Sequence, residues 1–179
     1  RSTILEITWD IFRNVGINAW KIWNYRIKQD IQNALVRYDA DPLDYIENTQ
    51  EFLLRLKKQP KLLVSGIEVE VASLDSWQGR LDAIKFFKDA FRGYGCVKHD
   101  GSIKDSRGNH AGFEIVSLPI LMEEHKKYAG WQTLLMNAPE MLYMNSGQFG
   151  AGIHIHLNRK AFDESSLTRF IAFVHNRGN

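Results

Sequence analysis

The spacing of apolar residues changes once along the chain, near residue 60. Before that point apolar residues recur at helical intervals in two series, which are Leu5, Trp9 and Phe12, and Ile27, Ile31 and Leu35. This pattern predicts a helical N-terminal segment over residues 1–60 with two or three helices. Gly16 and the stretch 39–42 are the expected breaks, and the last helix is predicted over 43–57, before Pro60.

From residue 62 onward, short alternating stretches are separated by stretches of helical pattern. Strands are predicted over 62–72, 96–99, 112–117 and 151–157. Helices are predicted over 82–91, 121–142 and 164–175, the second interrupted or ended near Pro139. Asp163 is the expected N-cap of the last helix, because its carboxylate can accept amide hydrogens of the first turn. The pattern therefore predicts an α+β fold, with a sheet domain over residues 61–179.

The composition of the chain indicates the class of protein and its compartment, but it says little about function. The chain is 44% hydrophobic and 25% charged, values typical of a globular domain. Its net charge of +2 gives no global argument for nucleic acid or a membrane surface as partner. Cys96 is the single cysteine, which excludes an intrachain disulfide and, together with the lack of a long apolar run, favours a cytoplasmic protein. Because the chain begins at Arg1, we expect a fragment or a processed product.

Two glutamates share one face of the first predicted strand. Glu68 and Glu70 stand two residues apart in a strand whose other face is apolar, so their side chains lie about 7 Å apart on the same side. Two neighbouring carboxylates repel each other unless positive charge lies beside them. A hard divalent cation such as Mg²⁺ suits them, and the alternative is a solvated strand face.

A second pair has the same spacing in the last predicted strand. His154 and His156 share one face of residues 152–157, and histidine both ligates metals and donates hydrogen bonds to phosphate oxygens. Glu114, between Phe113 and Ile115, is placed in the same way in an intervening strand. If these strands are neighbours, their polar groups meet on one surface that could hold one or two cations and a nucleoside triphosphate. Taken alone, the two histidines are about as consistent with a structural role, either exposed or buried in the core, as with binding of a metal or phosphate.

Four short motifs occur in a recognisable order. They are G-I-E-V-E at 66–70, D-G-S at 100–102, F-E-I-V-S-L-P at 113–119 and G-I-H-I-H at 152–156. Together, over residues 64–174, they resemble the amidoligases of phages and bacteria. These enzymes are carboxylate–amine ligases of the glutamine synthetase and glutamate–cysteine ligase superfamily.

The resemblance implies a fold and a reaction. The fold would be an antiparallel sheet curved into a partial barrel with helices on its outer side. The reaction would use ATP with Mg²⁺ or Mn²⁺ to join a small-molecule or peptide carboxylate to an amine through an acyl phosphate. The enzyme would position the reactants and neutralise phosphate charge, without a covalent enzyme intermediate.

The resemblance also implies roles for individual residues. Glu68 would share a cation near the nucleotide phosphates with His154, while Glu70 and Glu114 would ligate a second cation near the acid. Glu70, Glu114 and Asp100 are thus the candidate catalytic residues, with Asp100 at the mouth of the site near the amine or acid. Glu68 and His156 are the candidate nucleotide-binding residues, His156 through the phosphates.

The chain departs from the family at its end. Family members continue into a further strand that carries an arginine and a glutamate, whereas this sequence ends at Asn179. None of Arg159, Arg169 and Arg177 matches that arginine. The resemblance therefore leaves open a C-terminally truncated or an inactive form of the ligase.

Two other functions compete with the ligase. In the first, His154 and His156 are the metal-binding pair of an endonuclease that nicks single-stranded DNA. Its tyrosine would then lie upstream, because no tyrosine follows His156 and the nearest is Tyr143. In the second, the protein is a binding or structural module on a ligase-like scaffold.

The binding-module hypothesis involves the tryptophans of the N-terminal segment. Trp9, Trp20 and Trp23 are expected to be core residues, and the alternative is a surface that contacts a protein partner. Among the basic residues, Lys98 and Lys104 are expected to be solvated, and the alternative is that they bind a substrate carboxylate.

Overall fold

The computed structural model describes residues 4–73, 77–104, 108, 110–143 and 151–177. Along the chain the elements are α1 (Ile4–Ala34), α2 (Thr49–Lys58), β1 (Ser65–Ser73), α3 (Trp77–Ala90), β2 (Gly95–Lys98), β3 (Gly112–Ser117), α4 (Met122–Lys127), α5 (Ala129–Met141), β4 (Leu142–Tyr143), β5 (Ile153–Leu157) and α6 (Glu164–Arg177). Two short 3₁₀ helices, Pro42–Tyr45 and Arg159–Ala161, lie in the connections. The predicted α+β class, with a helical segment before the sheet, is confirmed.

The five strands form one antiparallel sheet with β1 near its centre. β1 pairs with β3 on one side, and on the other side with β5 along its first half and with β4 at its end. β2 lies outside β3. Across the described residues the sheet stays open, with β2 and β5 towards opposite edges. Each predicted strand is present, with bounds that differ from the prediction by at most three residues.

Most of the core lies on one face of the sheet. The alternate residues Val69, Val71, Phe113 and Ile115 are buried there against α3, α5 and the last turns of α1. This follows from the period of two in a strand, which sends every second side chain to the same layer. A burial of this extent removes apolar surface from water and holds β1 and β3 firmly in register.

A second, smaller core lies at one end of the opposite face. Val36, Ile46 and Phe52, which follow α1 in the chain, pack there with Cys96 and Val116. Val36 also pairs with β2, because its N–H donates to Val97 O and its carbonyl accepts from His99 N, each at 2.9 Å. The stretch after α1 therefore covers the β2 end of this face.

The structure of α1 corrects two expectations. Gly16 does not break a helix, because α1 runs from Ile4 to Ala34; a single interior glycine costs only about 1 kcal/mol. Trp20 and Trp23 are 64% and 49% exposed, so the expectation that they belong to the core is wrong. The apolar face that packs is the later one, formed by Ile27, Ile31 and Leu35.

Trp9 belongs to the residues whose side chains lie outside the description. The helix predicted over 43–57 is shorter, since Pro42–Tyr45 forms a 3₁₀ turn and α2 begins only at Thr49.

The later helices follow the prediction with two differences: α3 begins at Trp77 rather than at residue 82, and one break is added. The helix predicted over 121–142 is divided at Tyr128, whose hydroxyl donates to Ala90 O at 2.8 Å and so joins the break to the end of α3. The second part ends at Met141, two residues past Pro139. Asp163 caps α6 as predicted, accepting from Ser166 N at 2.6 Å. None of the described helices is both long and apolar enough to span a membrane.

Candidate functional site

One face of the sheet carries a band of charged and imidazole side chains, here called the polar face. Its members are Lys98, Glu114, Glu70, Glu68, His154 and His156. They come from four adjacent strands and share one face because they lie at alternate positions of those strands. All except Lys98, which His99 follows, have only apolar neighbours in sequence. All four predicted strands thus bring polar residues to one surface.

The strand register sets these residues in rows. Glu70 lies opposite Glu114, and Glu114 lies opposite Lys98 on its other side. Side chains directly opposite each other in an antiparallel pair have Cβ atoms about 5 Å apart, so like charges there repel. The row therefore reads cation, carboxylate, carboxylate. The next row places Glu68 opposite His154.

The β2 end of the polar face is buried. Lys98 and Glu114 form an ion pair with 3.3 Å between Nζ and Oε1, and their side chains are 14% and 10% exposed. Burial is the main cause that raises the pKa of Glu114; Lys98 opposes this rise, while the carboxylates of Glu68 and Asp100 add to it. Glu70 is also buried, and its Oε2 accepts a hydrogen bond from Gly152 N at 2.8 Å.

The β5 end of the same face is open to solvent. Glu68 Oε2 lies 3.4 Å from His154 Nδ1 and 3.3 Å from His156 Nε2. The two histidine side chains are 56% and 63% exposed. His154 Nε2 also lies 3.8 Å from Glu70 Oε1, which links the two ends of the face. One imidazole therefore stands between the two glutamates of the E-x-E pair.

Asp100 lies at the buried end and is engaged within its own turn. Its carboxylate accepts from Ser102 N at 2.7 Å and from Ser102 Oγ at 2.9 Å. The side chain is buried, and its charge acts on Glu114. The geometry gives Asp100 a part in shaping the D-G-S turn beside the site, while its predicted contact with a substrate stays a prediction.

Cys96 lies on the same side of the sheet as the polar face, and its side chain is buried. It lies opposite Val116, in the row that continues to Glu68. Burial raises the pKa of its thiol to about 12, so the thiolate is absent at neutral pH. The raised pKa and the burial of the side chain both disfavour covalent chemistry at this sulfur in the folded protein.

The donor set at the open end fits a divalent cation in its chemistry. Carboxylate oxygens suit Mg²⁺ and Mn²⁺, and an imidazole is a common further ligand. Neighbouring ligands around Mg²⁺ stand about 3 Å apart, since each lies roughly 2.1 Å from the ion. The spacings of Glu68 from the two histidines exceed this by only a few tenths of an ångström. Within the described chain, no group of three His, Cys, Asp or Glu side chains already has the geometry of a metal site.

The buried end fits a cation less well. Glu114 is paired with Lys98, and one oxygen of Glu70 is taken by Gly152 N. The expectation that Lys98 is solvated is wrong, because the chain after α1 covers β2 at Val36. In the sequence, Lys98 stands two residues after Cys96 and two residues before Asp100. This spacing indicates that Lys98 lies on the same face of the strand as Cys96. Lys104 is exposed, as expected.

Comparisons with known proteins give no evidence about the function of this chain. No protein-family model matches the chain, and neither a curated protein nor a solved structure does.

Proposed function

We propose that this chain binds a divalent cation and the phosphates of ATP on the polar face, as part of a ligase that joins a carboxylate to an amine. The observation that carries the proposal is the register that sets Glu68 opposite His154 and Glu70 opposite Glu114 on one face. Five of the six residues for which the motifs imply a role are members of that face, and Asp100 lies beside it.

In the proposed reaction, Glu68 and His154 would hold a divalent cation, whose charge would neutralise that of the phosphates, while the sheet positions the reactants. The substrate carboxylate attacks the γ-phosphorus of ATP, giving an acyl phosphate and ADP. The amine then attacks the acyl carbon, the C–O bond to phosphate breaks, and phosphate leaves as the amine gives up a proton. Glu68 and His154 would bind the cation, and His156 would donate to a phosphate oxygen.

The open end is the part suited to exchange of ligands. His154 and His156 are more than half exposed, so a nucleotide can reach them without unfolding the chain. The buried end, by contrast, holds its carboxylates against protein groups. This division supports binding of the metal and phosphates over β1 and β5.

Calorimetry with Mg²⁺ and a hydrolysis-resistant ATP analogue tests the proposal. We expect saturable binding to the wild type and a loss of at least about 100-fold in Glu68→Gln and His154→Ala, since even indirect support of a metal ligand is worth 10- to 100-fold. The matched controls are Glu123→Gln on α4 and His175→Ala on α6, both exposed residues away from the face. Absence of binding in the wild type would contradict the proposal.

An activity assay separates the ligase from the nuclease hypothesis. Release of ADP and phosphate that requires both an acid and an amine supports the ligase. Metal-dependent cleavage of a labelled single-stranded oligonucleotide that is lost in His154→Ala would instead support the nuclease hypothesis and contradict the ligase hypothesis.

The exposed tryptophans favour a second role for the N-terminal segment. Trp20 and Trp23 are 64% and 49% exposed and, three residues apart in α1, lie on the same side of the helix, where they form an apolar surface of the kind used in protein contacts. We propose that this surface docks a protein partner, independently of the polar face. Sedimentation across a range of concentrations tests whether that partner is a second copy. Self-association abolished by Trp20→Ser with Trp23→Ser would identify it as such, and a monomer throughout would exclude it.

A further inference from the structure

Lys98 is an unusual member of a face that otherwise resembles a metal site. Lysine is almost never buried unless its ammonium is paired. Here the ammonium lies 3.3 Å from Glu114 Oε1 and 5.7 Å from the centre of the Tyr38 ring. The favourable contact of a cation with an aromatic face adds to the ion pair.

The position of Lys98 is enforced by the backbone on both sides of β2. β3 sets it opposite Glu114, and the bridge to Val36 closes the other side of the strand. Tyr38, two residues after Val36, reaches the ammonium. The lysine is therefore held at Glu114 by two neighbouring segments.

The charge of Lys98 lies beside two neighbouring carboxylates, those of Glu70 and Glu114. This charge compensates their mutual repulsion. Glu70 and Glu114 are opposite one another, both are buried, and a buried carboxylate needs a positive or hydrogen-bonding partner. Glu114 has that partner in Lys98, and Glu70 has it in Gly152 N. A divalent cation between the two carboxylates would have to displace the lysine and leave a buried ammonium beside a dication.

We propose that the Lys98 ammonium occupies the place of a second cation, so that the polar face binds one divalent cation, at Glu68 and the histidines. This inference rests on the proposed function, and it differs from the two-cation site that the motifs imply. Lys98 is thus a positioning residue, which holds Glu114 and neutralises the buried end without contacting the nucleotide.

The count of bound Mn²⁺ tests this directly. Titration of the full chain with Mn²⁺ alone, followed by the electron paramagnetic resonance signal of the free ion, gives the number of bound ions without any turnover. We expect one ion per chain in the wild type and two in Lys98→Met, because the variant frees Glu114 for a second ion. Lys98→Arg keeps the charge and should keep one ion, and Lys98→Met with Glu114→Gln should return to one.

The outcomes separate the inference from the function beneath it. Two ions in the wild type would overturn the role of Lys98 and leave the proposed function standing. One ion in a Lys98→Met variant that retains the wild-type circular dichroism would also overturn it. No ion in the wild type would overturn the proposed function and the inference together. The wild-type count remains decisive if Lys98→Met fails to fold.

Discussion

The two ends of the polar face have similar residues and opposite environments. At the β2 end, Glu114 and Glu70 are buried and each has a protein partner. At the β5 end, the ionisable groups that contact Glu68 in the described part of the chain are two solvent-exposed histidines. The buried end is thus built as structure, while the open end has groups that a ligand can take over.

The difference arises from what covers each strand. Val36 pairs with β2, and the small core around Phe52 packs beside it. On β5, residues 153–156 are exposed on both faces of the strand. The same alternation of polar and apolar residues therefore yields a closed end and an open end, and burial decides which carboxylates remain available.

Thiol reactivity gives the largest expected contrast between the ends. Because burial raises the pKa of Cys96 from 9.0 to about 12, the thiolate is about a thousandfold scarcer than in an ordinary cysteine. We expect iodoacetamide to leave Cys96 unmodified in the native wild type and to label His156→Cys at a second site at the rate of a free thiol. Mass spectrometry of the intact chain and of its peptides measures both. Rapid native labelling of Cys96 would show that the β2 end is not closed.

Stability gives the next contrast. Lys98→Met leaves Glu114 buried without its partner, so we expect the free energy of unfolding to fall by about 3 kcal/mol, the low end for a broken buried pair. His156→Ala removes an exposed side chain and should change it by less than about 0.5 kcal/mol. Urea unfolding without metal measures both, with Lys104→Met as the control for loss of an exposed lysine. Equal effects of Lys98→Met and Lys104→Met would refute the closed end.

The smallest effect is a dependence of stability on pH. The pKa of Glu114 is raised above its ordinary 4.5, so the folded chain holds a proton more tightly there than the unfolded chain. Its contribution to stability is full below pH 4.5 and is lost as the pH rises through the folded pKa. Glu114→Gln lacks this loss, so its unfolding free energy relative to the wild type should rise with pH over that range. The unfolding free energies of both proteins are measured in EDTA. If the value for Glu114→Gln minus that for the wild type falls or stays constant as the pH rises, burial is not the main cause of the shifted pKa of Glu114.

The sequence predicts the strands of the sheet well, because the alternation of side chains along a strand is a local property that does not depend on what packs against it. The pairs Glu68 with Glu70 and His154 with His156 are each bracketed by apolar residues or glycine, and this alone places them on one face of their strands. That the strands β1, β3 and β5 are neighbours is not written in any local pattern. In the prediction it stands only as a condition.

The sequence fails where burial depends on distant segments. Nothing near Lys98 indicates that Val36, some sixty residues earlier, pairs with its strand. Likewise, the helical spacing of Trp20 and Trp23 does not reveal that nothing among the described residues buries them. Periodicity gives the face on which a residue lies, whereas the partner that covers that face is a matter of tertiary packing.

We propose that the open end of the polar face binds a divalent cation through Glu68 and His154. Crystals grown with Mn²⁺ and a hydrolysis-resistant ATP analogue test it most directly, through the anomalous scattering of the metal. We predict a peak within about 2.3 Å of a Glu68 oxygen and of a ring nitrogen of His154, with the analogue's phosphates on the same side. A peak elsewhere on the chain, or none at saturating Mn²⁺, would contradict the account.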